Sequence, residues 1–253
     1  MDLNMQSAVV PVTGAASGIG LAICKRLRVE GAIPLLLDFN EQRLEATVRE
    51  VYPDDATAPR YGYVVDVRDS KAMDACFLKI KRDHGAATHA VANAGILIGG
   101  HVLEITDEQW HQVMDVNLHG ALYFCRAAAR QMAEAKRGSI VAMGSLAGLR
   151  AKESRTSYAS SKAAVINMTR AFALDLGKFG IRVNAVAPGL IETPMRQEKP
   201  ASILQAEIDK VPLGRLGTAD DVAKVVLFLL SDMAGYITGE TIVTDGGLMA
   251  RYL

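Results

Sequence analysis

Tyr158 and Lys162 are the residues of this chain best spaced for chemistry, because Tyr158-Ala159-Ser160-Ser161-Lys162 opens a helical pattern and sets a phenol and an ammonium one turn apart. Side chains so spaced share a face, with Cβ atoms about 5 to 6 Å apart. A free phenol titrates near 10, and each unit of depression takes about 1.4 kcal/mol of preferential stabilisation of the phenolate. A neighbouring ammonium, helped by a second positive charge, could bring Tyr158 into the range useful for general acid/base work. Taken alone, the pair is more often an ordinary surface pair, and Ser145 changes the balance. It follows the apolar run Ile140-Val141-Ala142-Met143, at the carboxyl end of a strand, where open α/β sheets bind ligands. There its hydroxyl suits a donor to a carbonyl or alkoxide oxygen; its plain alternative is a turn serine beside Gly144.

A second constellation lies near the start. Thr13-Gly14-Ala15-Ala16-Ser17-Gly18-Ile19-Gly20 follows the apolar run Ala8 to Val12 and leads into a helical pattern. Glycines let the backbone turn sharply and approach a ligand, while the first turn of the helix presents unpaired N–H groups and a positive dipole end. A pyrophosphate fits there, although the glycine spacing departs from the usual dinucleotide fingerprint. The next strand-like run, Pro34-Leu35-Leu36-Leu37, ends in Asp38. A carboxylate near that distance accepts hydrogen bonds from ribose hydroxyls and repels a 2'-phosphate, which favours NAD over NADP. Asp38 or Asn40 also suits the cap of the following helix, and the two uses are compatible.

These groups need a frame to hold them. Short apolar runs alternate with longer amphipathic segments along the whole chain, the rhythm of βαβ units. Strands are expected at Ala8–Val12, Pro34–Asp38, Gly62–Val65, His89–Ala92, Ser139–Met143, Arg182–Ala187 and Thr241–Thr244. Helices are expected at Ile19–Glu30, Glu41–Val51, Lys71–His84, Asp107–Ala135, Tyr158–Lys178 and Ala219–Ser231. The pattern predicts an α/β, Rossmann-type, doubly wound sheet of seven parallel strands with helices on both faces. Thr106 with Gln109, and Thr218 with Asp221, read as capping boxes. Pro11 conflicts with a central strand, because it cannot donate a ladder hydrogen bond.

With 253 residues, half of them apolar and 22% charged, the chain can bury a substantial core. One domain over residues 1–253 is expected, with a substrate lid at about 190–213 around Pro200, Pro212 and a weak helical stretch at Ile203–Lys210. A formal net charge of zero and the lack of a basic stripe argue against nucleic acid as a partner. Cys24, Cys76 and Cys125 are too dispersed for a disulfide framework or a zinc knuckle, so no metal is expected. The start lacks a secretion-signal pattern, and the run Val225–Leu230 is too short to span a bilayer, so no membrane partner and a cytoplasmic location are expected.

Taken together, Thr13 to Gly20, Asp38, Asp66-Val67, Asn93-Ala94-Gly95, Asn117, Ser145, Tyr158 to Lys162, and Pro188-Gly189 with Thr193 resemble the short-chain dehydrogenase/reductase family, in order and over nearly the whole length. The resemblance implies roles. Tyr158 takes the proton from the substrate hydroxyl as hydride passes to NAD, and Ser145 holds the substrate oxygen. Lys162 binds the nicotinamide ribose and lowers the Tyr158 pKa, while Asn117 in a helix kink holds a water linked to Lys162. On the cofactor side, Gly14, Ser17, Gly18, Gly20 and the Ile19 N–H meet the pyrophosphate, Asp38 the adenosine ribose, and Asp66 and Val67 the adenine. Asn93 supports the adenosine half, and Thr193 with the Ile191 backbone meets the carboxamide. Gly144, where the family often has serine, and Pro11 depart from the pattern.

The expected activity is NAD-linked interconversion of a ketone with a secondary alcohol, cyclic diol or polyol. An NADPH-dependent 3-oxoacyl-carrier-protein reductase is the alternative, and Asp38 and the run Ile96-Leu97-Ile98-Gly99, which lacks a Thr-Arg-Asp continuation, count against it. A non-catalytic dinucleotide-binding regulator would have no need of a tuned phenol. Arg150, Lys152 and Arg155 against Glu153 make an anionic substrate conceivable, beside the commoner reading of a solvated face. Small residues such as Ala127, Ala128, Ala129, Ala163, Ala164 and Ala171 suit close helix packing, either on the sheet or between subunits of a homotetramer.

Overall fold

The run Val9–Thr13 (β1) is buried at every position, and Ile33–Asp38 (β2) at all but its first. Continuous burial is the mark of parallel strands covered on both faces. They are followed by Gly62–Val64 (β3), His89–Ala92 (β4), Gly138–Met143 (β5), Ile181–Pro188 (β6), Ile191–Glu192 (β7), Gly217–Thr218 (β8) and Thr241–Thr244 (β9). The computed structural model describes residues 3–195 and 200–250. Seven strands form one parallel sheet in the order β3-β2-β1-β4-β5-β6-β9, while β7 and β8 pair separately, Ile191 with Gly217 and Glu192 with Thr218. The winding reverses between β1 and β4, which opens a crevice at their carboxyl ends.

The helices are Gly18–Val29 (α1), Glu41–Val51 (α2), Ser70–His84 (α3), Asp107–Met114 (α4), Gly120–Ala135 (α5), Thr156–Leu176 (α6), Ala201–Ile208 (α7) and Ala219–Leu230 (α8). Contacts group α1, α2 and α8 on one side of the sheet and α3, α5 and α6 on the other. One apolar cluster runs through the sheet into both layers, from Leu35 and Ile140 to Phe124, Leu227 and Ile23. All three cysteines are buried in it, and burial pushes the Cys76 and Cys125 thiols up to about 12. Among the described residues no helix is long and apolar enough to cross a membrane.

Both capping boxes form: Thr106 with Gln109 starts α4, and Thr218 with Asp221 starts α8. The cap of α2 is Asn40, whose side chain accepts from the Arg43 N–H at 2.9 Å. One expectation needs correction. The helix expected over Asp107–Ala135 is interrupted by a π-helical turn at Asp115–His119. Ala127, Ala128 and Ala129 lie inside the chain's own core, whereas Ala163 and Ala171 are exposed. Pro11 sits unbulged in register with Leu35. The Val9 carbonyl on its side of β1 accepts from Thr88 N–H, so alternation turns the missing Pro11 donor toward β4. The β1–β4 ladder is correspondingly reduced to the pair Val12 with Val91. Arg182 in β6 closes the carboxyl end of α8, donating to the carbonyls of Leu229, Leu230 and Ser231 at 2.7, 3.0 and 3.0 Å.

Candidate active site

Gly14 to Gly20 form the turn from β1 into α1. Gly14 has φ +61°, and a Cβ on Gly20 would lie 2.3 Å from the Gly14 carbonyl oxygen, so the backbone closes tighter than any side chain permits. Asn93 braces the turn from β4: its side-chain amide donates to the carbonyls of Thr13 (2.9 Å) and Gly14 (3.1 Å). In return the Thr13 hydroxyl accepts from the Asn93 and Ala94 N–H groups, both at 3.0 Å. Ser17 precedes α1 without a side-chain cap, and the first turn, with Ile19 in it, carries no acidic residue. The helix therefore presents its positive end to the crevice.

Asp38 ends β2 largely buried. Its carboxylate accepts from the Ala16 N–H at 3.2 Å and the Asn40 N–H at 3.0 Å, which fixes it beside the glycine turn. Asp66 lies beyond β3, held by the Arg68 guanidinium, which keeps its carboxyl below the usual range. Val67 packs over α5, where a Cβ on Gly120 would come within 2.7 Å of it. On the opposite rim, Ile191 is nearly buried in β7. Thr193 and Pro194 reach the first turn of α1, 3.7 Å from where a Gly18 Cβ would stand.

Ser145, Tyr158, Lys162 and Asn117 converge past the ends of β4 and β5. Lys162 is buried and donates to the Met143 carbonyl at 2.8 Å, and burial lowers its ammonium to about 8. Its Nζ lies 5.8 Å from the centre of the Tyr158 ring. Burial pushes the Tyr158 phenol up, the reverse of the direction expected from the Lys162 spacing; the neighbouring Ser145 hydroxyl and the Arg155 charge offset this in part. The π-helical turn delivers Asn117, whose amide accepts from the Ile96 N–H at 2.8 Å and donates to the Ile96 carbonyl and Ser161 Oγ at 3.0 Å each. Ser161 in turn donates to the Tyr158 carbonyl at 2.8 Å. Gly95 sits against both amide and ammonium: a Cβ there would be 3.2 Å from Asn117 Oδ1 and 3.4 Å from Lys162 Nζ.

Sequence reasoning missed Ser161 and the Thr13 hydroxyl as members of this network. Both stood inside recognised motifs, but nothing in their spacing names a partner on another element. These residues fit a nicotinamide dinucleotide. They offer a cradle closed to a Cβ, a helix end free of acids, and a buried ammonium with one protein acceptor and donors to spare.

Comparison with known proteins agrees. A family model described as enoyl-(acyl carrier protein) reductase matches residues 14–249. The 3-oxoacyl-(acyl-carrier-protein) reductase FabG of Thermotoga maritima is 36% identical over 247 residues, 98% of this chain and 100% of that protein. The (3R)-3-hydroxyacyl-CoA dehydrogenase of Homo sapiens is 37% identical over 258 residues, covering 97% of each. The crystal structure of a short-chain type dehydrogenase/reductase from Mycobacterium marinum superposes with a TM-score of 0.90 at 28% identity, covering 99% of this chain and 98% of that one. The chain belongs to the short-chain dehydrogenase/reductase family. It is an oxidoreductase of hydroxyl and keto groups, in a family that binds a nicotinamide dinucleotide.

Proposed function

We propose that this chain is an NAD-dependent dehydrogenase that interconverts a ketone with a secondary alcohol, cyclic diol or polyol. The convergence of Ser145, Tyr158, Lys162 and Asn117 beside the glycine turn carries the reading. Tyr158 takes the proton of the substrate hydroxyl during oxidation and returns it during reduction. Ser145 donates a hydrogen bond to the substrate oxygen, which gains charge as the proton leaves. Lys162 offers its remaining donors to the cofactor ribose, and Asn117 holds a water that carries the proton onward. When bound, the nicotinamide accepts or supplies the hydride, and its oxidised ring adds the positive charge that brings the Tyr158 phenol down.

Gly14, Ser17, Gly18, Ile19 and Gly20 hold the pyrophosphate, while Asp66, Val67 and Asn93 serve the adenosine half. Thr193 and Ile191 face the carboxamide. Asp38 selects NAD, since a 2'-phosphate would meet a carboxylate fixed by two backbone N–H groups. We take residues 1–253 as one domain with a lid at about 190–213; residues 196–199 of that lid lie outside the described residues. The exposed α6 face of Ala163, Ala171 and Leu174 supports a homotetramer.

A second reading, NADPH-dependent reduction of 3-oxoacyl-carrier-protein thioesters, is favoured by the FabG relatives. Nicotinamide absorbance, with NAD and NADP compared across alcohols, polyols and 3-oxoacyl thioesters, separates the two. The first reading expects NAD-linked oxidation that falls about 10²- to 10⁴-fold in Tyr158→Phe. Turnover confined to NADPH and thioesters would establish the second instead.

A further inference from the structure

Arg155 stands apart from the other partly buried arginines. Arg26 binds the Asp220 carboxylate, Arg126 reaches Ser70 Oγ at 3.1 Å, and Arg182 holds three carbonyls. The Arg155 guanidinium has no side-chain hydrogen bond and no ion pair among the described residues. Five donors in a rigid fork are thus left half-desolvated and unmatched.

The position of Arg155 is imposed by the fold. Ser154, just before it, holds a left-handed φ of 56°, a conformation costly for a side-chain-bearing residue and common at functional sites. The Ser154 carbonyl accepts from the Gly100 N–H at 3.2 Å, and Gly100 bridges Arg155 in parallel fashion. The guanidinium lies against Gly99, where a Cβ would come within 2.8 Å of Nη1. The loop after β4 therefore runs from Lys162 at Gly95 to Arg155 at Gly99. From one turn before Tyr158, the Arg155 charge also acts on the phenol.

We propose that Arg155 receives an anionic group of the substrate, so that the molecule held by Ser145 and Tyr158 is a compact hydroxy or oxo acid with its carboxylate, sulfonate or phosphate a few bonds from the carbinol carbon. This rests on the dehydrogenase reading and narrows it. A planar guanidinium pairs with such a group bidentately. A neutral polyol leaves Arg155 unmatched, and an oxoacyl thioester carries no charge at that distance from its keto carbon.

The test is phenylglyoxal modification of Arg155 in the NAD-loaded protein, followed by peptide mass spectrometry with exposed Arg170 as the internal reference. Acetoacetate is the probe and methyl acetoacetate its uncharged counterpart. The expected result is that acetoacetate slows labelling of Arg155 several-fold more than the ester does, with Arg170 unaffected. Equal protection by both, or by neither, overturns the proposal. A kinetic arm compares 3-hydroxybutyrate with its methyl ester. The preference for the acid should fall roughly 10- to 100-fold in Arg155→Met and recover in part in Arg155→Lys; an unchanged ratio also overturns it. Labelling needs no hydride transfer, so loss of the dehydrogenase reading shows up separately, as wild-type turnover confined to NADPH and thioesters.

Discussion

Lys162 carries an ammonium into the interior with one protein acceptor, the Met143 carbonyl, and burial lowers it to about 8 from an ordinary 10.5. Between those values the unfolded chain binds a proton that the native protein does not, so stability rises with pH across that window. Below about 8 the buried charge costs about 3 kcal/mol relative to high pH. Without cofactor, the melting temperature of the wild type should therefore gain on that of Lys162→Met as pH climbs from 8 toward 10.5. A constant difference would mean the ammonium is not desolvated. Tyr158, raised by burial, should form phenolate at higher pH than free tyrosine in the cofactor-free protein, read as the absorbance difference from Tyr158→Phe; an equal or lower midpoint would mean the phenol is not desolvated. Residue types and spacing made Tyr158, Lys162 and Ser145 legible in the sequence. The direction of the Tyr158 shift was not, because desolvation comes from atoms that other elements bring. Ser161 stayed hidden for a related reason: its partner Asn117 belongs to a different helix.

Helices and strands of ordinary length announced themselves through periodicity and caps, and Thr106 and Thr218 both start the helices they promised. The π-helical turn at Asp115–His119 left no mark in the periodicity; the kink at Asn117 came from the family resemblance alone, and its bonds to Ile96 and Ser161 lie on other elements. Two-residue strands such as β7 and β8 have no period to detect. Arg182 shows how one side chain secures an element. Arg182→Met would leave the Leu229, Leu230 and Ser231 carbonyls without their shared donor. It should lower stability by about 3 kcal/mol in urea unfolding, and a loss under 1 kcal/mol would show that water replaces it. Gly20→Ala drives a methyl group into the Gly14 carbonyl, and should open the glycine turn and weaken dinucleotide binding at least tenfold by calorimetric titration. Unaltered affinity would remove that turn from the binding site.

Across the whole molecule, the reversal of winding between β1 and β4 gathers the glycine turn, Asp38 and Asn93 at one crevice. A ligand filling it stabilises the native state by about 2.7 kcal/mol at a hundred times its dissociation constant. For a chain of this size that is roughly 5 to 10 °C in melting temperature. NAD should produce such a rise at concentrations where NADP does not, and equal shifts would count against Asp38 as the discriminator. Leu174 is 84% exposed on α6, and Leu174→Glu should shift the sedimentation pattern toward smaller species if that face joins subunits. The pairing of β7 with β8 closes the base of the excursion that leaves the sheet after Glu192 and returns at Gly217. Closing a loop at its neck separates its sequence from the framework: insertions there add only a slowly growing entropic term. Changes of length between those strands thus cost the sheet little while Thr193 keeps its place against Gly18 and Val211 and Leu213 theirs against Gly246, which lets one scaffold be retuned to new small molecules by changes confined to a single stretch of the gene.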